Sequence, residues 1–299
     1  MNKNNSKLSI YSALVANLLI AVTKFIAGGF TNSSSMISEG IHSLVDTTNE
    51  GLLLFGINRS KKPADQRHPF GYGKELYFWS FIVAILIFGL GGGLSIYQGI
   101  LHIRHPEPIE NATWNYVVLL ASILFEGISL YIAAKAFNRI RGELSIWAAI
   151  IHSKDPANFL VLAEDAAAVS GLLIVLICMY INQTFNIPLL DGVASLLVGV
   201  LLVFVSFILA RESRSLLMGE GIAPDTKKRI KELVEIDGSV TCVKNMLSTY
   251  QSPEEIVLML LVDFKNDLTT DEITEAISRL RETIKKEFPL VEYIFIQPE

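Results

Sequence analysis

Three acids and a histidine fall within SEGIHSLVDTTNE, Ser38 to Glu50, inside a stretch otherwise apolar enough to cross a membrane. His42 and Asp46 are four residues apart, so on a helix they share one face about a turn from each other. An imidazole nitrogen and a carboxylate oxygen at that spacing can hold one divalent ion. Glu50 continues the same stripe and Glu39 borders it. A charged side chain near the bilayer centre costs about 2.5–3.5 kcal/mol, and chains that keep such groups aim them at a bundle interior or a watery cavity. The competing reading, polar groups that merely bond neighbouring helices, suits a single buried residue better than four in so short a stretch.

A second cluster lies in DPANFLVLAEDAAAVSGLL, where Asp155 and Pro156 read as a helix start and Glu164 and Asp165 follow inside it. The small residues after them, Ala166 to Ala168, Ser170 and Gly171, permit close helix approach. An acidic pair beside such a face suits a site shared with another helix. Three weaker signals remain. Glu126, midway along SILFEGISLY, either carries protons or pairs with a neighbour such as Lys24. Asp65 and His68, in KKPADQRHPFGYGKE, either hold a peripheral ion or are simply solvated. Asp191, in PLLDGVAS, reads as the N-cap of its own helix.

The elements that must position these residues are membrane spans. Half of the chain is hydrophobic and mean hydropathy is positive, and the first apolar segment is too long for a cleavable signal peptide. Six stretches are long enough to span, near Leu8–Gly29, Ser35–Asn58, Leu76–His102, Thr113–Phe137, Ala157–Gln183 and Ile187–Leu209. Basic residues gather in the loops after the second and fourth spans (Arg59, Lys61, Lys62, Arg67, Lys74; Arg139, Arg141, Lys154), at Lys3 and Lys7, and at Arg211 and Arg214. The positive-inside rule then puts both termini in the cytoplasm. From about Leu216 the composition changes. A helix over PDTKKRIKELVEI, strands over Val240–Tyr250 and Ile256–Phe264, an amphipathic helix with a Thr-led start, and a strand over Val291–Ile296 predict a small αββαβ domain.

The expected organisation is thus a transport domain over residues 1–215 and a cytoplasmic α+β domain over 216–299. The first holds 15 basic and 14 acidic residues, the second 10 and 16, an acidity that either attracts cations or serves ordinary solubility. Cys178, in a span, and Cys242, in the cytoplasmic domain, are not expected to pair. No phosphate loop, nucleophilic triad, HExxH motif or nucleic-acid signature is evident, so neither an enzyme nor a nucleic-acid partner is expected.

The stretches SSSMISEGIHSLVDTTNEG, PADQRHPFGYGKE, AEDAAAVSG and PLLDGVASLLVG, in that order along nearly the whole chain, resemble the cation diffusion facilitators. IHSLVDTTNEG and GGGLSIYQGI make the likeness greatest to the branch of the ninth animal zinc transporter. The resemblance implies a homodimeric, six-helix exporter of divalent metals with a metallochaperone-like cytoplasmic domain. It implies a transport site with two ligands from the second span, matched by His42 and Asp46, and two from the fifth, of which Asp165 matches one. The other position holds Val161, leaving Glu164, water or Glu50 as the fourth ligand. The loop site keeps Asp65 and His68 but has Tyr72 where a histidine is usual. No histidine lies beyond residue 216, so the cytoplasmic domain is expected to dimerise without the usual metal cluster.

The resulting expectation is a multi-pass protein of a bacterial inner (plasma) membrane, exchanging Zn²⁺ for protons by alternating access, with the ion as substrate and no cofactor. Mn²⁺, Fe²⁺ or Co²⁺ as cargo is the alternative within the class. A membrane-anchored metal sensor is the alternative outside it.

Overall fold

The computed structural model describes residues 3–107, 112–141, 149 and 154–299; His152 lies outside them. The chain divides into two compact units, Met1–Ile57 with Phe78–Ser213, and Asn58–Tyr77 with Arg214–Glu299.

The first unit is helical: α1 (Lys3–Thr31), α2 (Ser34–Ser60), α3 (Glu75–Leu86) running through a π segment (Ile87–Gly93) into α4 (Leu94–Arg104), α5 (Ala112–Arg141), α6 (Pro156–Phe185) and α7 (Leu189–Leu217). Among the described residues, four helical stretches are both long and apolar enough to cross a membrane: α3–α4, α5, α6 and α7. The described apolar part of α1, Asn17–Thr31, is shorter. The remaining helix, α2, is long enough but carries the acids, the histidine and Arg59.

Glycines set how closely the α4 region meets α7. A Cβ on Gly99 would lie 2.6 Å from the amide nitrogen of Leu196, and one on Gly199 would lie 2.7 Å from that of Ile96. Gly92 and Gly192 border the same contact, so the two backbones touch with no side chain between them. Gly99→Ala should therefore lower the thermal midpoint of detergent-purified protein, because backbone must move; overpacking of this kind costs about 1–3 kcal/mol. Gly127→Ala, where a Cβ meets nothing within 4 Å, is the control. Equal midpoints for the two variants would show that the seam does not need its glycines.

In the second unit, α8 (Pro224–Glu235), β1 (Val240–Ser252), β2 (Glu255–Phe264), α9 (Thr270–Glu287) and β3 (Val291–Pro298) follow the αββαβ order expected from the sequence. The sheet order is β1-β2-β3, antiparallel between the first pair and parallel between the second. A capping box between Thr269 and Glu272 starts α9. Ile256, Leu258, Leu260 and Val262 of β2 cluster with Ile230 and Val234 of α8 and with Ala276, Leu280 and Ile284 of α9. The opposite face of the sheet presents Leu247, Met259 and Phe295, which are direct partners across the three strands and are 52%, 46% and 45% exposed.

The loop 58–77 groups with this second unit rather than with the first domain. Phe70 packs edge-on against Tyr293, with ring centroids 5.2 Å apart. The turn that presents it needs Gly71 at φ +77°. At Gly73 a Cβ would lie 2.4 Å from the carbonyl oxygen of Gln251. Both cysteines are free.

Candidate functional site

The helix α2 begins after Asn32, which takes a left-handed φ of +54°. Its N-terminal amides meet a carboxylate from far along the chain: Asp191 accepts hydrogen bonds from the amides of Ser34 and Ser35 and from the hydroxyls of Ser33 and Ser35. Asp191 stands in the first turn of α7 but caps α2, which corrects the reading of it as the cap of its own helix. The tertiary approach of the two helices, together with the free amides of an N-terminus, decides its role.

The residues Glu39, His42, Asp46 and Asn49 follow at helical spacing of three, four and three along α2. Glu39, His42 and Asn49 are buried. The His42 ring faces Asp46, with Nδ1 to Oδ1 at 3.4 Å. No hydrogen bond satisfies Glu39 Oε1, either ring nitrogen of His42, Asp46 Oδ1 or Asn49 Oδ1, all of them buried. Leaving one such group without a partner costs about 1–3 kcal/mol, and here they are concentrated on one helix face.

Neighbouring helices complete the surroundings. From α1, the ammonium of Lys24 donates to Glu39 Oε2 (3.1 Å) and to Ser43 Oγ (2.8 Å). Lys24 thus pairs with Glu39; the pairing with Glu126 left open by the sequence is not the one formed. Asn17, also from α1, donates to Glu50 at 3.0 Å. From α6, Glu164 is buried and accepts a 2.8 Å hydrogen bond from Asn49. Asp165, half-buried on the adjoining face, accepts instead from Ser129 of α5 at 2.9 Å. Val161, one turn before Asp165, is 36% exposed.

The structure therefore brings His42 and Asp46 together and sets Glu164, rather than Asp165, against α2. Among the described residues no group of three His, Cys, Asp or Glu side chains is close enough to hold a metal ion. The three-ligand set expected from the resemblance is not assembled in this conformation. The reason is rotational: successive residues on a helix point about 100° apart, so turning Glu164 inward turns Asp165 toward α5. Glu126 is half-buried on α5.

The loop candidates are also engaged locally. Asp65 Oδ1 accepts the amides of Arg67 (2.9 Å) and His68 (2.7 Å), and Oδ2 accepts the Tyr72 hydroxyl at 2.7 Å. These bonds, Tyr72 foremost, hold the Asp65 carboxyl below the usual carboxylate range. The His68 Nδ1 lies 3.5 Å from Asp65 Oδ1. Both oxygens of Asp65 are thus committed to the turn, which leaves it poorly placed as a ligand.

Sequence reasoning missed Asn49, Asn17 and Ser129. Asn49 had a signal, being an amide one turn beyond Asp46 on the same face; Asn17 and Ser129 acquire their roles only from helix packing.

Residues 10–218 match the family described as the cation efflux transmembrane domain. The chain is 37% identical over 86% of its length to the human protein named proton-coupled zinc antiporter SLC30A9, mitochondrial, and covers 46% of that protein; it thus spans about half the length of this relative. It is 24% identical to the manganese efflux system protein MneP of Bacillus subtilis, over 95% of this chain and 92% of that one. A solved nickel form of a MamM C-terminal domain variant is 16% identical and covers 26% of this chain and 96% of its own, with a TM-score of 0.25, a likeness too low to carry an argument.

Proposed function

We propose, from the premise that the chain belongs to the cation efflux family, that it exports a divalent cation, Zn²⁺, in exchange for protons. One observation carries the reading. Glu39, His42, Asp46 and Asn49 present buried lone pairs without donors along one face of a helix in a membrane-type bundle. A divalent cation would satisfy the His42 and Asp46 lone pairs, which lie 3.4 Å apart at the middle of that face.

His42 and Asp46 form the part of the site on α2. On α6, Asp165 is held off by Ser129 and Glu164 by Asn49. Binding would exchange those hydrogen bonds for metal contacts, with Asp165 as third ligand and Glu164 or water as fourth. Protonated carboxyl and imidazole groups cannot ligate, so loading the metal releases protons and protonation releases the metal. That competition supplies the coupling an antiporter needs, in a site opened alternately to each side. The protein moves an ion rather than transforming a substrate. The distribution of basic loops supports cytoplasmic termini. The higher identity to the zinc antiporter than to the manganese efflux protein supports zinc ahead of manganese.

The deciding experiment is uptake of Zn²⁺, Mn²⁺ and Co²⁺ into proteoliposomes under an imposed pH gradient. Gradient-driven Zn²⁺ accumulation supports the proposal. Accumulation of Mn²⁺ alone would reassign the cargo. Saturable Zn²⁺ binding without accumulation would identify a sensor.

The partner proposed is a second copy, meeting through the Leu247–Met259–Phe295 row, an apolar sheet face that a monomer would leave in water. Met259→Glu sets a carboxylate in the middle of that row, on the side away from the core. Sedimentation of the purified protein should then shift from dimer to monomer with the circular dichroism unchanged; an intact dimer would place the interface elsewhere.

A further inference from the structure

Lys24 is fully buried in α1, and so is its partner Glu39. Its two acceptors, Glu39 and Ser43, lie one turn apart on α2 and flank His42 in sequence. The second oxygen of Glu39 has no partner. It faces α6 so closely that a Cβ on Gly171 would lie 3.0 Å from it. Glu39 thus stands between the part of the cation site on α2 and the helix that carries Glu164 and Asp165, with one oxygen held by an ammonium and the other free.

Stability does not account for this pair. A buried ion pair roughly breaks even against apolar residues of similar volume, so joining α1 to α2 does not require one. Its electrostatic consequence is specific. Acidic groups flank the imidazole of His42, with Asp46 on α2 at 3.4 Å and Glu164 turned to α2 from α6 through Asn49, and Lys24 adds a fixed positive charge beside them at Glu39. An ion passing through a membrane site must be bound well enough to enter and weakly enough to leave. A full carboxylate from Glu39 at the edge of the site, with no countercharge, would retain a divalent cation.

We propose that Lys24 is a tethered counter-cation that sets the affinity of the site: it holds Glu39 out of the coordination shell and weakens the hold on the divalent ion so that the ion can be released. This inference rests on the reading that His42 and Asp46 bind the cargo.

The test measures the Zn²⁺ dissociation constant of the full-length protein in detergent together with turnover in proteoliposomes. Lys24→Met should bind Zn²⁺ at least tenfold more tightly and turn over more slowly, a combination that simple structural damage would not produce because damage weakens binding. Glu39→Gln should bind several-fold more weakly, since Lys24 then repels the ion without a partner. Adding Lys24→Met to Glu39→Gln should tighten binding at least tenfold over Glu39→Gln alone; this comparison decides the matter if the single Lys24 variant does not fold. Dissociation constants within twofold of one another in that comparison would overturn the proposal. Asp46→Ala separates the two levels. Loss of Zn²⁺ binding there, with unchanged affinity in the Lys24 variants, sinks the counter-cation alone, whereas unchanged binding in Asp46→Ala sinks the site and the counter-cation together.

Discussion

Replacing Asp46 with alanine is expected to lower Zn²⁺ transport by at least about two orders of magnitude, roughly 2.8 kcal/mol in affinity terms, while the protein still folds and dimerises. Asp46 lies 3.4 Å from His42 and carries a buried oxygen with no hydrogen bond, so no structural bond to that oxygen is lost with it. The isosteric Asp46→Asn should lose nearly as much, because charge rather than shape attracts the ion. Asp165→Ala should also abolish transport, although its carboxylate rests on Ser129 in this conformation. Glu164→Gln should cost less, since its amide still reaches Asn49 and its place in the shell can go to water. The measurement is initial uptake at a Zn²⁺ concentration below half-saturation under a fixed pH gradient. Near-wild-type uptake by both Asp46→Ala and Asp165→Ala would remove the site, and loss in Glu164→Gln with activity retained in Asp165→Ala would make Glu164 the ligand that α6 supplies.

The largest effect on stability is expected away from the cation site, at Asp191. Its carboxylate is 1% exposed and gathers two backbone amides and two hydroxyls at the start of α2. His102 Nε2 stands 3.7 Å from the same group. Hydrogen bonds to a charged acceptor contribute about 1.5–3 kcal/mol, and buried donors left unpaired cost a further 1–3 kcal/mol. Asp191→Ala should therefore destabilise by about 2–4 kcal/mol, read as a lower thermal midpoint and a lower yield from detergent. Asp191→Asn keeps one acceptor oxygen and should fall between alanine and wild type. Unchanged midpoints in both variants would mean that water satisfies the end of α2 and that Asp191 is no cap.

The effect on transport should follow from geometry. The residues Glu39, His42 and Asp46 lie one to three turns below the capped end of α2. A frayed first turn would loosen their position relative to Lys24 and Glu164 without touching any ligand. Asp191→Ala is thus expected to depress turnover as well as stability, and lowering the assay temperature should restore part of the former.

The sequence by itself determined everything that depends on short-range periodicity. The spans follow from runs of apolar residues long enough for a bilayer, and the αββαβ order follows from switches between period two and period 3.6. The meeting of His42 with Asp46 follows from the rise and turn of a helix, whatever surrounds it. The start of α6 at Pro156 and the capping of α9 by Thr269 are equally local.

Only the tertiary structure decided which way each helix faces and what each buried charge meets. Glu164 and Asp165 are adjacent in sequence, and no local rule states which of them turns to α2. The rotation of α6 about its axis, set by packing against its neighbours, gives that place to Glu164 and sends Asp165 to Ser129. The sequence offered Glu126 as an acid for Lys24, and the approach of α1 to α2 gave it Glu39 instead. Asp191 caps a helix that begins 157 residues before it, and the loop 58–77 joins the second unit through Phe70 and Gly73. Hydrogen bonds within a helix are made between residues four apart and so can be read from the chain. The axial rotation and the spacing of helices arise from many weak contacts between distant segments, here including backbones brought together at Gly99 and Gly199, and those contacts have no signature at any one position.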